Sequence, residues 1–282
     1  MEQQVPADKT ALPEPLAGCI AQFKVATAIP MLQLTTQEKR TGPLDSKFGG
    51  VPYLPPGFDY PRVRTGDLAG RPLRLLAQLN FSQLPALPDF PRSGILQFFI
   101  ADGSDGLHGA DFNNPTDQNA FRVVYQADTT RPHQESALPG FDLENSCFPI
   151  KSPELSLDAA LGSQAMPAED LRFWMAFKPY YQAARGVGQV SDADDEPIYW
   201  ALTSGGGHRL GGYPYFTIDD PRYSAPSLAA HTTLLLQIDS EFGEKRHRIL
   251  WGDTAGITVF LIEPQRLRAL DFSNVLYSWD CC

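Results

Sequence analysis

The sequence predicts an α+β fold, predominantly antiparallel β, in which an internal tandem duplication forms one pseudo-two-fold body with a few short helices. Three observations favour this class: short apolar runs rich in β-branched and aromatic residues, 25 prolines and 23 glycines that separate them, and four blocks that occur twice in the same order. Apolar residues make up 43% of the 282 residues and charged residues 20%, which is typical of a folded chain with a sizeable core.

The first repeated block is SKFGGVPYL at residues 46–54 and HRLGGYPYF at residues 208–216. The next three blocks, LLAQLNF, GILQFFI and VVYQAD in the first copy, match LLLQIDS, GITVFLI and VLYSWD in the second. Their order is the same in both copies, and the spacing differs only by lengths that surface loops absorb. We therefore predict a duplicated unit, because one block repeats by chance more easily than four in order.

Each repeated block is short and bounded by glycine or proline, so we predict a strand at each one. Short helices are predicted at Ser82–Pro85 and at Pro264–Leu267, and a longer one from Pro167 to about Gln182, which Pro179 ends or kinks. An extended apolar run at Ala26–Leu34 is expected to add an edge strand or to wrap around the second half.

These elements give one domain over residues 1–282. It contains a first half at about 42–130, a helical insertion at about 136–204 and a second half at about 205–282. The halves are expected to pack on each other, since one half alone leaves an apolar strand face uncovered.

The net charge of −10 argues against a protein that binds nucleic acids or anionic membranes. We predict no membrane segment, no secretory signal and a cytoplasmic location, because no sufficiently long apolar run or basic leader is present. The four cysteines and five histidines lack the spacing of metal ligands, so no metal and no cofactor are predicted. An acidic run at Asp192–Glu196 departs from the calcium-loop template and is interpreted as an exposed loop.

Longer motifs resemble those of the YwqG-like family from about residue 40 to the end of the chain. They are SKFGGVPYLPPG, LLAQLNFSQLPALPDFPRSGILQFFI, GGYPYFTIDDPR and DFSNVLYSWDCC. The resemblance implies a bacterial cytosolic α+β protein of a family named for unknown function, with no catalytic residues to carry over. It also implies a partner-binding hypothesis, because some members of such families look like components of toxin-and-immunity neighbourhoods. One small departure is FDYP at residues 58–61, where relatives tend to have tryptophan before the proline.

The duplicated Gly-Gly segment is the first candidate ligand site. Glycines let main-chain N–H groups converge on an anion, and an adjacent basic side chain adds positive charge. The candidates are one basic residue and two glycines from each copy: Lys47, Gly49, Gly50, Arg209, Gly211 and Gly212. The alternative is a positive-φ turn or a bulge whose basic residues are solvated.

A second group of candidates lies in or near the predicted strands. Amides repeated inside apolar strands either recognise a ligand or satisfy main-chain groups, and acids beside tryptophan either act as acid and base or form turns. These candidates are Gln78, His208, Gln237, Asp239, Trp251, Asp253 and Asp280.

Two functions follow from these candidates. The first is a binding module, in a toxin-immunity or stress context, whose inter-repeat cleft engages an unknown protein or a small anionic ligand. The negative net charge favours a basic partner if that partner is a macromolecule. The second is a hydrolase or carbohydrate-acting enzyme that uses Asp239, Asp253 or Asp280 with His208. No G-x-S-x-G or H-E-x-x-H motif is present, so the sequence leaves the choice open.

Overall fold

A computed structural model describes residues 14–103, 105–141 and 146–281. The chain divides into two compact units, one containing residues 14–29 and 163–205 and the other residues 30–162 and 206–281. This division does not follow the predicted halves, because both halves lie in the second unit. The single domain over residues 1–282 remains a prediction.

The described residues contain twelve strands, ten of which form one large antiparallel sheet that is nearly closed. The strands are β1 (Ile29–Gln37), β2 (Lys47–Gly49), β3 (Arg74–Asn80), β4 (Ile95–Ile100), β5 (Phe121–Gln126), β6 (Glu154–Gln164), β7 (His208–Gly211), β8 (Thr233–Asp239), β9 (Glu241–Phe242), β10 (His247–Ile249), β11 (Gly256–Ile262) and β12 (Val275–Cys281). Their order in the large sheet is β12-β11-β8-β7-β1-β6-β2-β3-β4-β5, and β9 and β10 form a separate hairpin. The predicted fold class is thereby confirmed, and each repeated block contributes a strand.

The sheet contains two similar sets of four strands on either side of β1 and β6. One set is β2-β3-β4-β5 and the other is β7-β8-β11-β12. Gln78 of β3 lies opposite Gln97 of β4, and Gln237 of β8 lies opposite Val259 of β11, at corresponding positions of the repeated blocks. The duplication itself remains a prediction, with which this strand order agrees.

The last repeated block has a different register in the two sets. In the first set, Phe98 lies opposite Val123. The sequence blocks match Val123 with Val275, but in the second set Phe260 lies opposite Tyr277, two residues further along β12. A displacement of two residues keeps each side chain on the same face of its strand. The difference therefore leaves the core pattern of the block unchanged.

The main core lies between the two strand sets. Every residue of β4 and of β11 is buried, so both faces of these strands are covered. Phe98 and Phe260 meet in the core, and two smaller apolar clusters cover the outer faces: one around Val63 and Phe99, the other around Leu228 and Val259. This burial on both faces explains why the sequences of β4 and β11 are continuous apolar runs and do not alternate with polar residues.

Two expectations about strands were wrong. Residues 29–37 form β1, which lies between β7 and β6 inside the sheet, so the first of the two expected arrangements, an edge strand, was wrong. The segment predicted as a helical insertion also supplies β6, which pairs with β2. Half-exposed strands such as β6 show too weak an alternation to be recognised from sequence.

The first unit contains three helices, α1 (Leu16–Thr27), α2 (Phe173–Arg185) and α3 (Asp192–Leu202). Phe23 of α1 packs against Phe173 and Phe177 of α2, with ring centroids 5.5 and 5.0 Å apart. None of the helices in the described ranges has both the length and the apolar character needed to cross a bilayer.

The predicted boundaries of the long helix were wrong. It begins at Phe173 because the Asp170 carboxylate accepts the N–H of Arg172 at 2.9 Å and holds a turn there. It continues past Pro179 and ends where Gly186 adopts φ +72° and donates to the Gln182 carbonyl.

The acidic run was also misassigned, because it begins α3 and is not a loop. Its carboxylates complement the positive end of the helix. Asp194 is buried and accepts from Tyr181 and Arg185 at 2.8 and 2.6 Å.

Two further α-helices of the described chain lie in the second unit: α4 (Pro221–Ser224) and α5 (Pro264–Arg268). α5 confirms the predicted helix at Pro264–Leu267. The predicted helix at Ser82–Pro85 is instead a turn, because the Asn80 side chain accepts the N–H of Ser82 at 3.0 Å.

Candidate functional site

The Gly-Gly segments have the same backbone conformation in both copies. Gly49 and Gly50 have φ values of +66° and +71°, and Gly211 and Gly212 have +65° and +69°. Two consecutive residues with positive φ strongly favour glycine, so the repeated Gly-Gly pair is explained by the backbone conformation of the turn. Glycine also leaves space, since a Cβ on Gly50 would lie 3.0 Å from the Glu154 side chain.

Lys47 is buried beside this turn, with 1% of its surface exposed. Its Nζ donates to the carbonyls of Gly42 and Val51 at 2.7 and 2.9 Å, so the ammonium joins the two sides of the Gly-Gly segment. Burial lowers the pKa of Lys47 to about 8, against the opposing charges of Glu154 and Asp45. In the second copy Arg209 is likewise buried and donates to the Gly206 carbonyl at 3.0 Å. Both basic side chains therefore bind main-chain groups of their own copy.

Gln78 and Gln237 make equivalent hydrogen bonds. Gln78 Oε1 accepts the N–H of Tyr53 at 2.7 Å, and Gln237 Oε1 accepts the N–H of Tyr215 at 2.8 Å. Each amide donates to a carbonyl two residues before the basic residue of its copy, at Asp45 and at Gly207. The two glutamines thus hold the two Gly-Gly segments against the sheet in the same way.

His208 takes the place of Ser46 of the first copy. Ser46 Oγ accepts the N–H of Asn80 at 3.0 Å, and His208 Nδ1 accepts the N–H of Asp239 at 3.0 Å. The other ring nitrogen, Nε2, lies 3.3 Å from Glu241 Oε2. Both ring nitrogens of His208 are therefore engaged.

Glu241 connects His208 to neighbouring elements. Its Oε2 also accepts from Thr36 Oγ1 at 2.6 Å, and its Oε1 pairs with Arg248. Burial tends to raise the pKa of Glu241, but the hydrogen bonds from His208 and Thr36 and the charge of Arg248 outweigh burial and lower it. The first copy has a serine at the position of His208, so this ion-paired cluster distinguishes the second copy.

The acids of the enzyme hypothesis lie in different surroundings. Asp239 and Asp280 lie opposite the same residue, Ile257, on the two sides of β11, which places their Cα atoms about 10 Å apart. Asp239 accepts the N–H of Gly207 and Asp280 accepts that of Ile218, so each anchors a loop. Asp253 is exposed.

Trp251 is fully buried, and its ring centroid lies 5.3 Å from that of His108. Within the described ranges, no three side chains of histidine, cysteine, aspartate or glutamate lie close enough together to hold a metal ion. Cys282 lies outside those ranges.

The two ends of the sheet approach each other through the loop before β5. Pro115 accepts the N–H of Tyr277 in β12 at 2.8 Å. Gln118 is buried and joins both sides, because its Oε1 accepts the N–H of Val123 at 3.0 Å and its Nε2 donates to the Phe272 carbonyl at 2.7 Å. Gln118 thus connects the last strand of the first set to the segment that precedes β12.

A cleft of about 630 Å³ opens at this junction, and we call it the seam cleft. It is lined by residues of both predicted halves: Arg64, Thr116, Asp117, Gln118, Arg122, Val123, Val124, Tyr125, Leu270, Phe272 and Ser273. Arg122 donates to the Gln118 carbonyl through Nε and Nη2, at 3.3 and 2.9 Å, which fixes the plane of its guanidinium group.

The seam cleft contains two arginines without a carboxylate partner. Within the described part of the chain, neither Arg64 nor Arg122 forms an ion pair, although eight other arginines do. Burial lowers the pKa of Arg122, and the charge of Arg64 lowers it further, while Asp59 and Asp117 act in the opposite direction. The arrangement presents guanidinium donors to a ligand that enters the cleft.

Sequence reasoning missed this cleft. Arg64 and Arg122 lie 58 positions apart in the chain and belong to no motif. The only local signal is a basic residue within the strand FRVVYQ, on the face opposite to Val123 and Tyr125. The predicted candidates instead lie at four places. Lys47 and Gln78 lie near β2 and β3, and the candidates between His208 and Asp239 lie near β7 and β8. Trp251 and Asp253 precede β11, and Asp280 lies in β12.

Comparison with known proteins identifies the family of this chain. No curated protein matches this chain. Residues 46–281, most of the sequence, match a family model described as a domain of unknown function, DUF1963. The start of the match coincides with the first Gly-Gly block, and the matched region includes both copies of every repeated block. On this match, the chain belongs to the DUF1963 family.

Proposed function

We propose that this protein is a binding module whose ligand is acidic and occupies the seam cleft. The observation that carries the proposal is the pair Arg64 and Arg122, which line one cleft without a carboxylate partner among the described residues. The cleft lies between the two predicted halves, as the sequence led us to expect of a binding site. Its position differs from the expectation, because it is lined by β5 and the segment before β12 and not by the Gly-Gly segments.

The chemistry of Arg122 favours an anion. Two of its nitrogens bind main-chain carbonyls, and no described residue accepts from Nη1, so a preoriented donor remains for a carboxylate or phosphate oxygen. An anion here would also relieve the repulsion between the two guanidinium groups, which contributes to the lowered pKa of Arg122. Arginine in a fixed plane recognises planar anions better than a mobile lysine does.

The size and lining of the seam cleft suit a small molecule or a short segment of a protein. Its volume of about 630 Å³ lies within the range of about 300 to 1,000 Å³ that is usual for ligand sites. Tyr125 and Phe272, with ring centroids 5.7 Å apart, provide an apolar wall beside the arginines. A binding role agrees with the YwqG-like resemblance and its toxin-immunity hypothesis, which we retain as the proposed context.

The Gly-Gly segments have weaker support as a ligand site. Lys47 and Arg209 are buried and bind carbonyls of their own segments, so a ligand would have to displace those bonds. The enzyme hypothesis also has weaker support, since Asp239 and Asp280 anchor loops and both nitrogens of His208 are engaged.

Thermal unfolding in the presence of succinate tests the proposal. Succinate is a dicarboxylate small enough to enter the cleft, and ligand binding to the folded state raises Tm by mass action. We expect succinate to raise the Tm of the wild type above its value in sodium chloride of equal ionic strength. Arg64→Gln and Arg122→Gln should each reduce this rise.

Arg62→Gln is the matched control. Arg62 lies two residues from Arg64, is exposed and donates to the Gly70 carbonyl outside the cleft. The Arg62→Gln protein should keep the full response to succinate. Equal responses in all four proteins would contradict the proposed site.

A further inference from the structure

The edge of β5 forms one wall of the seam cleft. β5 is the last strand of the ten-stranded sheet, and Val123, Val124 and Tyr125 of this strand line the cleft. On the side away from β4, no neighbouring strand within the described chain pairs with it. An edge of this kind is a template for an added strand.

The hydrogen bonds of Val123 show which main-chain groups face outward. Its N–H donates to Gln118 Oε1, so it points away from β4. In an antiparallel pair, residues that face the partner strand alternate with residues that face away, which places the N–H and C=O of Tyr125 at the outer edge as well. Among the described residues, neither of these Tyr125 groups has a hydrogen-bond partner, whereas Gln118 covers the edge at Val123.

The two faces of β5 differ in chemistry. Arg122 lies on one face, and Val123 and Tyr125 lie on the other, because successive side chains of a strand alternate. Arg64 also lines the cleft, and the ring of Phe272 packs against Tyr125. A strand added to this edge would direct alternate side chains toward the arginines and toward the aromatic wall.

We propose that the partner is an extended acidic segment of another protein, which adds to β5 at Tyr125 and places its carboxylates against Arg64 and Arg122. The proposal rests on the function proposed above and specifies the class of its ligand. The expected segment alternates acidic and apolar residues, because the two faces of β5 do. The net charge of −10 predicts a basic protein partner, and the proposal departs from that prediction because Arg64 and Arg122 give the cleft a local positive charge.

Fluorescence anisotropy with a defined peptide tests the proposal. The probe is a fluorescein-labelled peptide of eight residues that alternates glutamate with valine, and it is added to the full chain. Tyr125→Ala and Tyr125→Pro form a matched pair, because both remove the phenol ring and only proline removes the outward N–H. We expect the proline variant to bind the peptide about tenfold more weakly than the alanine variant, as for the loss of one hydrogen bond of about 1.4 kcal/mol.

A second measurement uses the wild-type protein and so does not depend on how the variants fold. Two further peptides carry N-methyl groups on all valines or on all glutamates. Because only alternate amides of an added strand face β5, methylation of one set should weaken binding about tenfold and methylation of the other set should weaken it much less. Equal affinities for both methylated peptides, or for the two Tyr125 variants, would overturn strand addition.

The succinate experiment separates the two proposals. If succinate raises Tm through Arg122 but the peptide does not bind, strand addition is wrong and the anion site stands. If the peptide binds equally with and without methyl groups and Arg122→Gln abolishes that binding, the anion site again stands and strand addition is overturned. If neither probe binds, both proposals fail.

Discussion

Phe98 and Phe260 occupy corresponding positions of the two copies of the third repeated block, and their rings meet in the core with centroids 4.8 Å apart. Phe98 is flanked in the sheet by Ala77 and Val123, and Phe260 by Leu236 and Tyr277. A direct contact between corresponding residues is expected at an axis that relates two similar halves. This pair therefore marks where the two strand sets meet.

A double-mutant cycle measures the coupling of this pair. Phe98→Ala and Phe260→Ala should each lower the free energy of unfolding by about 3–5 kcal/mol, because each removes a fully buried ring. The double variant should lose less than the sum, by about 0.5–1.5 kcal/mol, which is the usual coupling of an aromatic pair. Urea unfolding provides the four values. Strict additivity would show that the two rings do not interact in solution.

The glutamines of the two copies should contribute unequally to stability. Gln78→Leu leaves the N–H of Tyr53 and the carbonyls of Pro43 and Asp45 without partners, and it also removes one of the two acceptors of the Gln97 amide, the other being the Tyr53 carbonyl. Gln237→Leu affects only the Tyr215 N–H and the Gly207 carbonyl among the bonds described above. Each unsatisfied buried group costs about 1–3 kcal/mol, so Gln78→Leu should destabilise more.

Urea unfolding of both glutamine variants checks this order. Gln182→Leu, at an exposed position of α2, is the control for the change of residue type and should lie within about 0.5 kcal/mol of the wild type. A larger loss for Gln237→Leu than for Gln78→Leu would contradict the assignment of these hydrogen bonds.

A side chain at Gly206 is predicted to displace the Asp239 carboxylate. A Cβ at this position would lie 2.1 Å from Asp239 Oδ2, the atom that accepts the Gly207 N–H. Gly206→Ala should displace that carboxylate and lower the free energy of unfolding by about 1–3 kcal/mol. Gly205→Ala is the matched control, because a Cβ there has no neighbour within 4 Å. If Gly205→Ala and Gly206→Ala lower the free energy of unfolding by similar amounts, backbone flexibility explains the need for glycine at position 206, and the contact with Asp239 does not.

The stability that depends on Lys47 should rise with pH between about 8 and 10.5. Burial lowers the pKa of Lys47 to about 8 in the folded chain, whereas its ordinary value is 10.5. Between these values the unfolded chain retains a proton that the folded chain has released, so alkali favours folding through this group.

Lys47→Met isolates this effect from other groups that titrate in alkali. The free energy of unfolding of the wild type, minus that of Lys47→Met, should increase from pH 8 to pH 10, on the order of 1–3 kcal/mol. Lys24→Met, which removes an exposed lysine of α1, should show no comparable trend relative to the wild type. A difference that stays constant or falls over this interval would contradict the burial of a protonated amine.

Several features of the fold followed from the sequence because they depend on neighbours in the chain. Continuous apolar runs bounded by turn residues predicted the strands β3, β4, β8 and β11. A proline at its first position predicted the start of α5. The same holds for the four glycines of the Gly-Gly segments, whose positive φ values were one of two stated alternatives. The helix boundary at Phe173 was missed because a side chain, Asp170, competes for the backbone there.

The sequence by itself determined the fold class, the strands of the repeated blocks and the residues that build the Gly-Gly segments, since periodicity and turn chemistry act over a few residues. Only the tertiary structure decided that β6 enters the sheet, that Gln118 joins its two ends, and that Arg64 and Arg122 share one cleft. Those relationships depend on long-range pairing and on the curvature of the sheet, which brings together residues that no local pattern connects.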